Sequence, residues 1–255
     1  MGSDKTGDKR VNSVEVSFTI LKTIQDLEGA TLSEISDELD LHKSTVYVHL
    51  NTLTHNRLVV KDDNQYNVGL RFLGFGASAR ANRTIYPKIK PKMRRLAKET
   101  GERVQFMVEE HGRGIYVHRV RGEYGVQTAN HIGNCRYLHT SAAGKAILSK
   151  TADEEIDEII DRWGLPSQTP HTVVDRSQLM EEIASIRENG YALNREEHIE
   201  GLWAIGAPVT NQDGTVLGGL SISGPAHRIR DENNRTELID QLLGIVNETE
   251  LDLRK

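Results

Sequence analysis

The sequence predicts an α+β chain in two parts: a small N-terminal domain of three helices and a hairpin, and a larger C-terminal domain with an antiparallel sheet and flanking helices. Three observations carry this. Between Val14 and Leu53, apolar residues recur at helical spacing in three short runs. Two strand-like runs follow, residues 58–61 and 65–68, separated by the polar turn Asp62-Asp63-Asn64. Beyond Val104, strand-like and helix-like segments are intermixed, with turns at residues 111–114 and 211–214.

The elements follow in order. Val14, Phe18, Leu21, Ile24 and Leu27 form the apolar stripe of a first helix, which Gly29 stops. Thr31 and Glu34 have the spacing of a capping box, and Leu32, Ile35 and Leu39 face a short second helix inward. Asp40-Leu41 makes a tight connection. A third helix turns Val46, Leu50 and Leu53 inward and leaves Ser44, Thr45, Tyr47, His49 and Asn51 to its other faces. Helix, helix, turn, helix and hairpin is the plan of a winged helix-turn-helix. Leu70, Phe72, Leu73 and Phe75 run into small residues and predict a linker helix. Tyr86-Pro87 and Pro91 punctuate the next region, where Met93, Leu96 and Ala97 predict a helix ending at Gly101. Strands are expected at 104–109, 115–120, 204–209 and 216–223. Helices are expected from 141, at 154–163, at 178–189 and at 235–253. The expected domains are residues 10–69, a linker helix at 70–83, and residues 84–255.

Of the 255 residues, 37% are hydrophobic and 27% charged, which supports a core and excludes wholesale disorder. The net charge of -5 excludes a uniformly basic coat but not a local basic face. Such a face is visible: residues 41–61 hold no Asp or Glu, yet include Lys43, Arg57, Lys61, His42, His49 and His55. Cys135 is the single cysteine, so no intrachain disulfide forms, and a reducing cytoplasm is expected. No apolar run is long enough to span a bilayer, so no membrane partner is expected. Residues 1–10 lack the apolar core of a signal peptide and read as a frayed polar tail.

Residues 32–53 carry the most chemistry. Groove reading needs a bracing helix, a tight turn, and a second helix whose N-terminal end presents short donors without carboxylates. His42, Lys43, Ser44 and Thr45 meet that need, and N–H groups at a helix N-terminus attract phosphate. Tyr47 and His49 follow one turn later, and Arg57 and Lys61 add basic charge nearby. The expected partner is double-stranded DNA. In a dimer bound to a pseudo-palindrome, residues 42–53 would be the groove helix.

Several motifs in order sharpen this: Lys-Ser-Thr-Val from Lys43, the wing and the stretch after it from Asp62 to Leu73, Leu-His-Thr-Ser-Ala-Ala-Gly-Lys-Ala-Ile-Leu from Leu138, Gly-Tyr-Ala-Leu-Asn-Arg-Glu-Glu-His from Gly190, Ala-Ile-Gly-Ala-Pro-Val from Ala204 and Ser-Ile-Ser-Gly-Pro-Ala-His-Arg-Ile from Ser221. Over nearly its whole length the chain resembles the IclR family of transcriptional regulators, and in general style its haloarchaeal members. The resemblance implies a GAF-like C-terminal domain that binds a small organic acid, a sugar acid or keto acid of catabolism. It implies a homodimer or tetramer, with pairing through the linker helix. It also implies a pocket at positions matching Ala142, Ala143, Asn194, Ala204, Ser221 and Ser223. Many relatives carry Asp where Asn194 stands and Cys where Ala204 stands. The exchange makes the pocket less acidic and slightly larger, which suits a longer polyhydroxy acid. The residues agree with a pocket: Ser221 and Ser223 share a strand face, and Ser141-Ala142-Ala143-Gly144 opens a helix with small side chains.

Other chemistry is weaker. His131, Cys135 and His139 would stack on one face of a helix, but Gly133 and the strand-like stretch after it oppose a helix there, and no metal or cofactor is expected. An enzyme with a DNA-binding appendage is the alternative, but His118, His131, His139, His171, His198 and His227 are scattered, with no nucleophile elbow, phosphate loop or paired zinc motif. A helix-turn-helix that binds protein instead of DNA is a third reading.

Overall fold

The computed structural model describes residues 10–127 and 131–254. Apart from Arg10, the expected N-terminal tail lies outside the described residues. The chain divides into two compact units, residues 1–82 and 83–255.

In the first unit, α1 (Asn12–Asp26) leads through Gly29, at φ 112°, into the short strand β1 (Ala30–Thr31). Helix α2 (Leu32–Leu39) is opened by the capping box: Thr31 N donates to Glu34 Oε2 at 2.7 Å, and Glu34 N donates to the Thr31 hydroxyl at 3.3 Å. Asp40 turns the chain in the left-handed region, φ 48°, and α3 (Lys43–His55) follows. The wing is β2 (Val59–Asp62) and β3 (Gln65–Val68). β1 adds to β3 as a third strand that the sequence pattern did not reveal. Ile20, Ile24, Ile35, Val46, Leu50 and Tyr66 form the core of this unit. Helix α4 (Phe72–Ala81) stands where a linker helix was expected but belongs to the first unit, and none of its residues is buried. Thr31→Ala removes one side-chain acceptor and the reciprocal bond. It is expected to cost about 1 kcal/mol of first-unit stability, readable in a urea melt, with an unchanged midpoint the contrary result.

The second unit opens with α5 (Ile85–Thr100), which ends on Gly101 in the left-handed region. The helix starts well before Met93 and runs through Pro87 and Pro91. Pro87 sits in the first turn, where N–H groups lack partners anyway. Both prolines are exposed, while Ile85, Ile89, Met93 and Leu96 bury the opposite face, which keeps the helix despite Pro91. Strands β4 (Arg103–Glu110) and β5 (Arg113–Arg121) form a hairpin. Then come β6 (Cys135–Tyr137), a 3-10 turn at Leu138–Thr140, α6 (Ala142–Leu148), α7 (Asp153–Trp163) and α8 (Arg176–Asn189). Strands β7 (Ala192–Arg195), β8 (Leu202–Thr210) and β9 (Val216–Pro225) lead to α9 (Ala226–Ile229) and α10 (Glu232–Leu253).

All strand pairs of the second unit are antiparallel, in the order β6-β5-β4-β9-β8-β7. One sheet face buries Val104, Phe106, Ile205, Leu220 and Ile222 with α5 and α10. The alternating positions face α6. There Gly206 and Gly219 let the α6 backbone lie directly on the sheet.

Candidate functional site

At the N-terminal end of α3, His42, Lys43, Ser44 and Thr45 are all exposed, and the first turn holds no acid. Thr45 N and Val46 N are the first helix donors, both to His42 O at 2.9 and 3.1 Å. The N–H groups of Lys43 and Ser44 therefore point outward at the positive end of the helix dipole. Tyr47, 51% exposed, continues this face, while Val46 on the other side is buried. Lys61 is exposed on the wing, its Nζ 5.5 Å from the Tyr66 ring centroid.

Two expected contact residues lie elsewhere. His49 faces α1, where its Nδ1 lies 2.8 Å from the Ser17 hydroxyl. Arg57 follows the C-terminal end of α3, at φ 61°, roughly 20 Å along the helix from Lys43 at about 1.5 Å per residue. Only His42, Lys43, Ser44, Thr45 and Tyr47 form one surface on α3. An apolar groove of ≈ 720 Å³ also opens in this unit between α1, α3 and α4, lined in part by Val14, Phe18, Val48, Phe72 and Phe75.

In the second unit, strand pairing unites the residues expected to line a pocket. Ala204 stands opposite both Asn194 and Ser223, and Ser221 opposite Gly206. Ala142 and Ala143 are buried where α6 meets Gly206 and Gly219. The N-terminus of α6 is closed by its own side chain: Gly144 N donates to the Ser141 hydroxyl at 3.0 Å. The Asn194 amide braces the approach to α6, donating to Thr140 O at 2.7 Å and accepting from Glu197 N at 3.3 Å. The Ser223 hydroxyl accepts from Arg103 Nε at 2.9 Å and donates to Gln105 Oε1 at 3.3 Å.

Lys145, Glu182 and Glu197 of this region were not singled out from sequence. Buried Lys145 ties α6 to Glu182 and Glu197, each at 2.6 Å. Burial pushes the Glu197 carboxyl above its usual range, although Lys145 pulls it down. Burial, with Arg136 and Arg103 nearby, lowers His198 to about 4, so its ring is neutral at pH 7. Burial likewise lowers His139 to about 4, against a hydrogen bond to Pro166 O. Cys135 is exposed on a strand, and His139 is buried in the 3-10 turn, so the two do not share a helix face.

A winged helix-turn-helix with an acid-free end on its third helix, together with a helix-flanked antiparallel sheet domain, defines the class of a DNA-binding transcription regulator. The family model described as bacterial transcriptional regulator IclR C-terminal matches residues 77–250, and that of the IclR helix-turn-helix domain matches residues 13–63. The chain belongs to the IclR family, as a DNA-binding transcription regulator and not an enzyme. It is 33% identical over 229 residues to the probable HTH-type transcriptional regulator ArcR of Halobacterium salinarum, covering 88% of this chain and 86% of that relative. The crystal structure of Thermotoga maritima IclR matches with a TM-score of 0.76 and 26% identity, over 95% of this chain and 97% of that one. An IclR homologue from Microbacterium hydrocarbonoxydans, complexed with 4-hydroxybenzoate, shares the fold at a TM-score of 0.81 and 21% identity, over 95% and 99% of the two chains. No helix among the described residues is long and apolar enough to cross a membrane.

Proposed function

We propose that the chain binds a pseudo-palindromic operator as a homodimer or tetramer in the cytoplasm, with the N-terminal end of α3 in the major groove. A small polyhydroxy or keto acid bound on the α6-facing side of the large sheet then changes its DNA affinity. The observation that carries the DNA half is the exposed, acid-free set His42, Lys43, Ser44, Thr45 and Tyr47 beside two outward N–H groups. Lys61 on the wing supplies a backbone contact. Self-association draws on the exposed apolar residues of α1 and α4: Phe18 is 64% exposed, Leu73 69% and Phe75 56%, more than a surface usually leaves in one region.

The effector half draws on Ser221, Ser223, Asn194, Ala204, Ala142 and Ala143, which strand pairing and α6 bring together. A homologue of the same fold holds 4-hydroxybenzoate, an aromatic carboxylate, which supports a small acid as the ligand class. Coupling between sites in such regulators is about 1–3 kcal/mol, a shift of about 5- to 150-fold in DNA affinity.

Fluorescence anisotropy on promoter DNA across a salt series tests the groove assignment. Lys43→Ala with Thr45→Ala is expected to weaken binding by about 10- to 100-fold, and loss of the lysine lowers the salt slope by about one. His49→Ala is expected to act mainly through α1–α3 packing and to leave that slope unchanged. Unchanged affinity for the double variant would remove α3 from the groove.

A further inference from the structure

The proposed effector residues occupy one half of the α6-facing side of the large sheet. The other half is basic. On β4, Arg103 stands opposite Ser223 on one side and Arg121 on the other, and Gln105 stands opposite Ser221 and Arg119. Arg136 of β6 stands opposite Gly114 at the far edge. At about 4.8 Å per strand, Arg103 lies about 14 Å across the sheet from Asn194.

The guanidinium groups act on the same neighbours. Arg103 is 1% exposed, and burial, then Arg119, lowers it to about 10. Burial raises the Tyr116 hydroxyl, with Arg103, Arg136 and Arg119 all opposing. Arg136 and Arg103 both act on His198. Arg103 is held in place by its bonds from Nε to the Ser223 hydroxyl at 2.9 Å and from Nη1 to Val126 O at 3.5 Å. At the register positions of this face, β4 contributes Arg103, Gln105 and Met107, and β9 contributes Gly219, Ser221 and Ser223, none of them acidic.

Gln105 points independently to a ligand. It is 3% exposed, its Oε1 takes the Ser223 hydroxyl, and its Nε2 has no hydrogen-bond partner among the described residues. A buried donor left unmet costs stability, which a ligand oxygen would recover. The half-buried His198 likewise has an unmet Nδ1.

We propose that the basic half of this face receives the phosphate group of a phosphorylated polyhydroxy effector, with Arg103, Arg119 and Arg136 around the phosphate and the hydroxyl-bearing end toward Ser221 and Ser223. The assignment rests on the effector reading of the same face. A carboxylate brings one charge and two oxygens. A phosphate monoester brings about 1.5 to 2 charges and three terminal oxygens, which relieves like-charge crowding further and matches planar guanidinium donors in pairs. The Gln105 Nε2 amide and an N–H of the His198 ring complete the donor shell around the phosphate oxygens.

The test uses the full chain with inorganic phosphate, glucose 6-phosphate and gluconate at matched ionic strength, read by thermal shift and calorimetry. Inorganic phosphate is expected to raise the melting temperature and to compete with glucose 6-phosphate. Glucose 6-phosphate is expected to bind at least about tenfold more tightly than gluconate, as added charge-assisted bonds imply. Arg136→Gln, at a half-buried site, is expected to remove most of that preference while gluconate binding holds. Gln105→Glu keeps an acceptor for the Ser223 hydroxyl but replaces the unmet donor with an acceptor, and is expected to weaken the phosphate ligands. Ser221→Ala weakens both ligand classes. No binding of inorganic phosphate or glucose 6-phosphate overturns the assignment. So does gluconate binding as tightly as the ester, or equal losses for both in Arg136→Gln. If phosphate ligands bind through Arg136 but leave operator affinity unchanged, the phosphate site stands and the effector reading falls.

Discussion

Lys145→Met is expected to cost the second unit about 3–5 kcal/mol at neutral pH, because it strands a buried carboxylate. The Lys145 side chain is 0% exposed and that of Glu197 4%, and the ammonium is the counter-charge of both Glu197 and Glu182. Glu197 also accepts from Arg195 N at 3.1 Å, and its own N–H holds Asn194. Losing the lysine therefore loosens the bracket that joins α6 to the proposed effector face. The pH dependence has a definite sign. Burial already raises the Glu197 carboxyl in the folded state, and without Lys145 it rises further. A carboxyl with a raised folded pKa favours folding below its unfolded pKa, and the benefit is lost as pH rises through the folded value. The gap between wild type and Lys145→Met should thus narrow at acid pH and widen toward neutral. Urea melts on either side of the carboxylate range read this directly. A gap that is constant or widens on acidification would mean that Glu197 is not the stranded charge. Adding Glu197→Gln to Lys145→Met should restore much of the loss.

Gly206→Ala is expected to be nearly as damaging, by a steric route. A Cβ at Gly206 would lie 2.4 Å from the Ala142 carbonyl carbon and 2.5 Å from its oxygen, both backbone atoms that cannot swing aside. Helix α6 would have to rise from the sheet, and overpacking of this kind costs about 1–3 kcal/mol, sometimes more. The same lift displaces Ala142 and Ala143, so the proposed effector response should fail. DNA binding should survive, since the first unit has its own core. Gly244→Ala is the control: no atom lies within 4 Å of its Cβ, and it sits within α10, where alanine is expected to add about 0.5–1 kcal/mol. A wild-type melting temperature for Gly206→Ala would show that α6 has slack against the sheet.

Much of the first unit was legible because its signals are local. The Thr31–Glu34 box spans three residues, the period of Val46, Leu50 and Leu53 lies within one helix, and Asp40 turns the chain between helices. His49 shows where locality ends. Helical spacing takes it off the buried stripe of α3, but only the packing of α1 brings Ser17 to its ring. Helix α5 shows a contest between signals. Its prolines argue for a later start, and the buried face of Ile85 and Ile89 outweighs them.

The proposed effector face was legible in part. The resemblance named Asn194, Ala204, Ser221 and Ser223, and strand pairing sets them side by side. The arginine half was not, because Arg103 meets Ser223 across 120 positions of sequence and through a strand order that places β9 between β4 and β8. The polar residues Arg103 and Gln105, alternating with the buried apolar Val104 and Phe106, were a signal of a second sheet face. Without the pairing it did not say what lay opposite.

By itself the sequence determined the α+β class, the winged helix-turn-helix, the acid-free end of α3 and the family, because spacing, caps, turns and ordered motifs act over a few residues. Only the tertiary structure decided that His49 turns to α1, that Lys145 is buried against Glu182 and Glu197, and that Arg103, Arg119 and Arg136 share a sheet face with Gln105. Those outcomes depend on which distant strands pair and how closely a helix approaches them, and no local propensity encodes that.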